Sequence, residues 1–313
     1  MSRILEPAEI QVLSYSAIPR LRLPNRTGLF ATRANRLRAL AKEREFLSGY
    51  LRIMAELVDA QQEAINGLTA PLIAPEVKTP GHALGHPLPA RMGRSRHTGW
   101  KDVLYLLIKH LRERNPNAPN VNVACTFLAC LDDSTLEQIA DNILTMSYGM
   151  VDSLSAPIVT AALQVAWVDA ASRLNEQQVP YPDTSGSCPV CGTTSLASTV
   201  RIGGKHDGYR FVVCGLCATE SHVVRVKCTS CESTRGISYQ LLDGEPDWAK
   251  AESCDECHTY RKIFYQGRQH DVEPFADDLA TLELDLAMND AGYRRPAVHP
   301  FLWPSSENTV PMQ

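Results

Sequence analysis

The sequence predicts an α plus small-β protein, with a mainly helical N-terminal domain, two small metal-binding β units in tandem, and a C-terminal helix. Three observations carry this expectation. Apolar residues recur at helical spacing as far as Leu174, short β-type runs between turn signals replace them beyond Pro180, and four Cys-x-x-Cys pairs fall on a forty-residue repeat. At 313 residues the chain is about twice a typical domain, so more than one domain is expected.

From Ala31 to Ile65, the residues Leu37, Leu40, Leu47, Leu51, Met54, Val58 and Ile65 form an apolar stripe, which predicts one long helix. Further helices are expected over Trp100–Leu111, Thr135–Met146 and Ile158–Leu174. Asp133 or Ser134 suits the cap of the third, and Pro157 suits the first turn of the fourth. The Pro-, Gly- and His-rich stretch over 67–99 cannot be continuous helix and is long for a loop. Pro180-Tyr-Pro-Asp-Thr-Ser-Gly186 reads as a linker. Strands are expected over Tyr209–Val213, His222–Val226, Ile237–Leu242 and Arg261–Tyr265, with Gly203-Gly204 as a turn. Helical spacing returns over Ala276–Met288 and ends near Gly292, and the apolar tail Pro300–Pro304 is expected to pack back onto the body. These shifts place a helical domain at 1–180, a first four-cysteine ribbon at 186–226, a second at 227–268, and a C-terminal helix with its tail at 274–313.

No run approaches roughly 18 consecutive apolar residues, so no membrane insertion is expected. The opening residues carry no export signal, which predicts a cytoplasmic protein. In a reducing compartment, paired cysteines are better read as metal ligands or redox thiols than as disulfides.

The pairs are Cys188/Cys191, Cys214/Cys217, Cys228/Cys231 and Cys254/Cys257, with twenty-two residues between the two pairs of each unit. Two residues between cysteines let a tight turn aim both sulfurs at one point. Two such knuckles on facing hairpins complete a tetrahedral four-sulfur site suited to zinc or a single iron. Units of about forty residues with few large apolar side chains need such a staple, and a structural zinc supplies roughly 10–16 kcal/mol. The matching register favours two sequential sites. Pairing Cys214/Cys217 with Cys228/Cys231 is the alternative grouping, and free or redox-active thiols are the alternative chemistry. Only Cys191 is followed by glycine. Ala218, Glu232 and His258 follow the other knuckles, where a left-handed residue costs about 1–2 kcal/mol, so distorted knuckles are expected there.

Cys254-Asp-Glu-Cys257-His258 also fits a haem c attachment pattern, but its place in the repeat points to metal, with His258 exposed. Cys125 and Cys130 read as buried free cysteines. His82, His86 and His97 could form a third metal site but read as solvated loop residues. Arg20, Arg22, Arg26, Arg33, Arg36, Arg38 and Arg44, with Arg91, Arg94 and Arg96, suit either a docking face for an acidic partner or a solvated helix face. A net charge of −4 and the lack of interleaved aromatics make nucleic acid an unfavoured partner. No nucleophile elbow, phosphate loop or dinucleotide fingerprint is present, so no catalytic residue is assigned and a non-enzyme is expected.

Cys188-Pro-Val-Cys191-Gly192, Val224-Arg-Val-Lys-Cys228, Lys250-Ala-Glu-Ser-Cys254, Tyr260-Arg-Lys-Ile263, Ala276-Asp-Asp-Leu-Ala280 and Pro300-Phe-Leu-Trp-Pro304 together resemble the bacterial formate dehydrogenase accessory protein family, the formate dehydrogenase formation protein E. The resemblance covers roughly 185–305. It implies a cytoplasmic assembly factor required for active respiratory formate dehydrogenase, which binds the catalytic subunit (a molybdenum–selenocysteine protein) before export. It further implies two tandem rubredoxin-like or zinc-ribbon sites, each holding one iron or zinc ion on four of the eight repeat cysteines. The alternatives are a rubredoxin-like redox protein acting on that subunit and a zinc-ribbon nucleic-acid binder.

Overall fold

Where the N-terminal apolar stripe predicts one helix, the chain turns back on itself. The computed structural model describes residues 19–73, 99–147, 149–182 and 184–304. Within it α1 spans Leu29–Glu43 and α2 spans Ser48–Gly67, joined by a short 3-10 turn at Glu45–Leu47. Arg44 leaves the helical region at φ −113° and ψ 82°. The break falls in Lys42-Glu43-Arg44-Glu45, a charged run with no apolar residue to bury. Folding in two lets Leu37 and Leu40 of one arm and Leu51, Met54, Val58 and Ile65 of the other enter one core, which a straight rod could not do.

The next helices are α3 (Trp100–Arg114), α4 (Pro119–Cys130), α5 (Asp133–Leu144) and α6 (Ala156–Ser172). The sequence reading left α4 unassigned. Its exposed Asn120, Val123 and Phe127 interrupt any single apolar face, so no stripe marks it. Asp132, one residue before the expected cap, accepts the Thr135 amide and starts α5. In α6 every residue from Ala156 to Ala171 is buried, with Pro157 in its first turn. Two buried polar groups fix this central helix. Gln61 on α2 donates to the Gln164 side chain and the Ala161 carbonyl, and Asp169 pairs with Arg26 and Arg173.

Strands β1 (Leu21–Arg22), β2 (Ala197–Val200), β3 (Arg210–Val213), β4 (Glu220–His222), β5 (Ile237–Gln240), β6 (Ala249–Cys254) and β7 (Thr259–Tyr265) form one sheet in the order β1-β4-β3-β2-β7-β6-β5. The strand expected over 222–226 lies two residues earlier. β1, β2 and β6 were not anticipated, because strands of two to six residues seldom carry a full alternation. Each cysteine unit supplies antiparallel strands, and the parallel pair β2–β7 joins the two units edge to edge. The N-terminal segment closes the far edge, where Leu21 and Arg22 pair with Ser221 and Glu220.

The C-terminal helix is also divided, into α7 (Pro274–Leu279) and α8 (Leu282–Asp290), and Gly292 follows at φ 84°. The Thr281 hydroxyl donates to the Asp277 carbonyl, and the Lys262 ammonium donates to the Asp278 and Thr281 carbonyls. These bonds take up the carbonyls freed where the helix breaks. The tail packs back as expected. Phe301 and Trp303 are buried, and the Tyr50 hydroxyl donates to the Phe301 carbonyl.

The seven N-terminal arginines of the cluster pair with groups of the chain itself, and of them Arg22 stays exposed. Arg33 and Arg36 on α1 are buried against Glu273 and Asp277 of the C-terminal segment, the latter pair at 2.6 Å. Arg20 donates to the carbonyls of Glu176, Val179 and Pro180, Arg22 pairs with Glu220, Arg26 with Asp169, Arg38 with Asp59, and Arg44 with Glu245. All seven are used as internal ties. Arg91, Arg94, Arg96, His82, His86 and His97 lie outside the described residues.

Arg36→Ala strands the buried Asp277 carboxylate and is expected to cost about 3–5 kcal/mol, read as a shift in the chemical denaturation midpoint. Glu220 titrates in the opposite sense to a carboxyl that is merely buried. Burial alone raises it, but Arg201 and Arg22 outweigh that and hold it below its ordinary 4.5. Its stabilisation is therefore present above that ordinary value and lost as pH falls through the lower folded-state value. Glu220→Gln should be less stable than wild type at pH 7, and the difference should shrink in denaturation series run below about pH 4.

Candidate metal centres

The structure gathers the eight repeat cysteines into two sequential quartets, Cys188, Cys191, Cys214, Cys217 and Cys228, Cys231, Cys254, Cys257. Within each quartet all four sulfurs lie within 4.8 Å of one another. The grouping that would join the inner pairs is not formed. In the first quartet Cys188–Cys217 and Cys191–Cys214 are each 3.5 Å apart, and in the second Cys228–Cys257 and Cys231–Cys254 are 3.7 and 3.6 Å apart. A tetrahedron with bonds near 2.3 Å has edges of about 3.8 Å, whereas a disulfide is about 2.05 Å. The separations fit four ligands around one ion.

The first knuckle of each quartet is a turn closed by its own backbone. Gly192 donates to the Cys188 carbonyl at 2.9 Å and Glu232 to the Cys228 carbonyl at 3.0 Å. The expected distortion does not occur. Gly192, Ala218, Glu232 and His258 all adopt the left-handed conformation, at φ 76°, 57°, 62° and 51°. The three non-glycine residues take that strain so that both sulfurs of each knuckle can point inward. His258 is exposed, as its haem-free reading requires, and its carbonyl accepts the Arg294 amide.

A set of residues that sequence reasoning missed surrounds the sulfurs. Two positions beyond the second cysteine of every knuckle stands a hydroxyl residue, Thr193, Thr219, Ser233 or Thr259. The Thr193 hydroxyl lies 3.1 Å from both Cys191 and Cys214, Thr219 lies 3.2 Å from Cys217, and Thr259 lies 3.0 Å from Cys257. Ser233 turns away to the Arg235 carbonyl. Amides of Leu216 and Cys217 point at Cys214, and that of Ser230 points at Cys228. The signal was readable, since the hydroxyls obey the same forty-residue repeat as the cysteines.

By themselves the thiols share charge unevenly. Burial pushes Cys188 and Cys217 well above the ordinary thiol value. For Cys214, hydrogen bonds from its three partners and Thr193 outweigh burial and bring it well below. In the second quartet burial pushes Cys254 up to about 12, while the Cys231 and Ser230 amides overcome burial and lower Cys228 to about 7. Four converging thiolates need a cation to offset their repulsion. Soft sulfur donors with no carboxylate or imidazole fit zinc or iron and poorly fit magnesium or calcium.

The quartets sit in different surroundings. The first is continuous with the main hydrophobic core, together with Val190, Leu196 and Ala197. Gln164 of α6 donates to the Gly215 carbonyl inside its second knuckle at 2.7 Å, and a β-carbon on Gly215 would press on Pro300 at 3.1 Å. The cysteines of the second belong to no hydrophobic cluster among the described residues. Of the other two cysteines, Cys125 is buried as expected, whereas Cys130 is exposed at the end of α4.

Family models cover nearly the whole chain between them. "FdhE, N-terminal" matches residues 18–183, "FdhE, central domain" matches 187–225, and "FdhE, C-terminal domain" matches 226–302. This chain belongs to the FdhE family. The central model contains the first quartet and the C-terminal model the second. It is the same family that the C-terminal motifs resemble. The "Protein FdhE homolog" of Serratia proteamaculans (strain 568) is 40% identical over 299 residues, covering 92% of this chain and 93% of its own. That of Edwardsiella ictaluri (strain 93-146) is 41% identical over 288 residues, covering 91% of each. The crystal structure of the FdhE protein from Pseudomonas aeruginosa superposes with a TM-score of 0.77 at 30% identity, over 92% of this chain and 100% of that one.

Thr193→Val keeps the shape of the side chain and removes the hydroxyl shared by two sulfurs. Ion affinity at the first quartet should fall roughly 10-fold or more with unchanged stoichiometry, measured by chelator competition.

Proposed function

We propose that this FdhE-family chain is a cytoplasmic accessory protein for the maturation of respiratory formate dehydrogenase, binding its catalytic subunit through a scaffold held rigid by two metal ions. The observation that carries the reading is membership of the family along the whole chain, with both four-sulfur quartets intact. Each quartet takes one ion, iron or zinc, on Cys188, Cys191, Cys214 and Cys217 or on Cys228, Cys231, Cys254 and Cys257. When bound, the ion supplies cross-linking of two hairpins. The chain's own part is to converge the sulfurs, to set the Thr193 and Thr259 hydroxyls within hydrogen-bond distance of them, and to donate to them from the knuckle amides. The rubredoxin-like naming of the units, and their division at about residues 226–227, belong to this proposal.

No group in the structure is assigned a catalytic role, and no helix among the described residues is long and apolar enough to cross a membrane. The pairing of the seven N-terminal arginines with acidic or carbonyl groups of the chain itself counts against a nucleic-acid face there. A second reading, electron transfer to the client by rubredoxin-like iron, gains support from the exposed sulfur of Cys231.

Protein purified without oxygen should contain about two ions per chain by elemental analysis. It should also retain the catalytic subunit of formate dehydrogenase in a pull-down from reducing lysate. Absence of the subunit from the wild-type eluate would refute the assignment. Zinc-only protein that fully restores formate dehydrogenase activity would exclude the redox reading.

A further inference from the structure

Two sites built from one duplicated unit need not behave alike, and here three independent features separate them. In the first quartet all four sulfur-bearing residues are buried, at 2% exposure or less, and belong to the main core. In the second, Cys231 is exposed and Cys257 half-buried. The first quartet receives two threonine hydroxyls that reach Cys191, Cys214 and Cys217, whereas the second receives only Thr259 on Cys257, because Ser233 bonds to the Arg235 carbonyl. The second knuckle of the first is wedged at Gly215 between Gln164 of the central helix and the returning tail at Pro300, while the cysteines of the second belong to no hydrophobic cluster among the described residues.

We propose that the second quartet is an exchangeable site for a thiophilic divalent cation, zinc or ferrous iron, opened at Cys231, and that the first is a permanent structural one. Exchange at a four-thiolate site begins when an incoming soft donor, a thiolate or a nitrogen chelator, takes a coordination position as one resident thiolate leaves and picks up a proton. At the first quartet all four cysteines are buried, and a departing thiolate would be stranded in the core beside the Thr193 hydroxyl. At the second, Cys231 is exposed, so its departing sulfur can take up its proton from water. The Cys228–Cys231 turn stays anchored meanwhile, since Arg261 donates to the Thr229 hydroxyl and Gly186, where a β-carbon would overlap the Thr229 carbonyl, packs against it. The site can therefore empty and refill without unfolding the ribbon.

The inference rests on the reading that both quartets bind metal, and the experiment separates the two. Full-length protein loaded with zinc is mixed with excess 4-(2-pyridylazo)resorcinol, and release is followed by absorbance. One equivalent should leave at least about tenfold faster than the other, as expected when one site lacks the enclosing groups. Total release well below two equivalents sinks the metal reading itself. Two equivalents leaving at one rate sink only the exchangeable site. Cys231→Ser should abolish the fast phase and keep the slow one, and a fast phase surviving there overturns the assignment. A measurement on unmutated protein covers the case in which that variant misfolds. After removal of one equivalent, a pulse of N-ethylmaleimide should label the peptides carrying Cys228, Cys231, Cys254 and Cys257 beyond the constant label on exposed Cys130. Label on Cys188, Cys191, Cys214 or Cys217 instead would reverse the proposal.

Discussion

Four sulfurs held within 4.8 Å of one another are stable only when their shared negative charge is met, and this constraint shapes the C-terminal half of the chain. It explains why Ala218, Glu232 and His258 accept a left-handed backbone, why hydroxyls follow the knuckles, and why amides turn toward Cys214 and Cys228. Each of these features costs some local stability alone. Together they arrange a set of donors whose natural complement is a soft cation.

The helical half meets its own constraint with arginine. Arg33 and Arg36 leave α1 for carboxylates at the other end of the sequence, and Arg20, Arg22 and Arg26 bind the segments that flank the linker and the central helix. Buried ion pairs add little net stability but penalise any other arrangement, because a displaced partner leaves a charge in the core. They hold the helical region, the ribbons and the returning tail in one geometry. The first quartet gains from this directly, since its second knuckle is clamped between Gln164 and Pro300.

Gene duplication of a metal unit followed by unequal burial gives a simple route to two sites of different character. The first unit is part of the main core, and its strands β2 and β3 are buried along their length. The second copy stands at the edge of the sheet, where β5 is half exposed. Identical ligand chemistry thus meets two dielectric and steric environments.

Much of this was legible in the sequence. The spacing of the cysteines pointed to the two quartets, since a two-residue knuckle admits few geometries and a forty-residue repeat favours pairing the knuckles in order. Periodicity likewise located α3, α5 and α6, whose apolar or boundary residues are local signals. Other features depended on partners far along the chain. The parallel joint between Ser198–Val200 and Ile263–Tyr265, the Lys262 bonds at the Thr281 break, and the pairing of Arg33 with Glu273 join residues up to 240 positions apart. The exposure of Cys231 beside the burial of Cys191 belongs with them. A local pattern records which faces want to be dry, but only the packed molecule decides what each face meets.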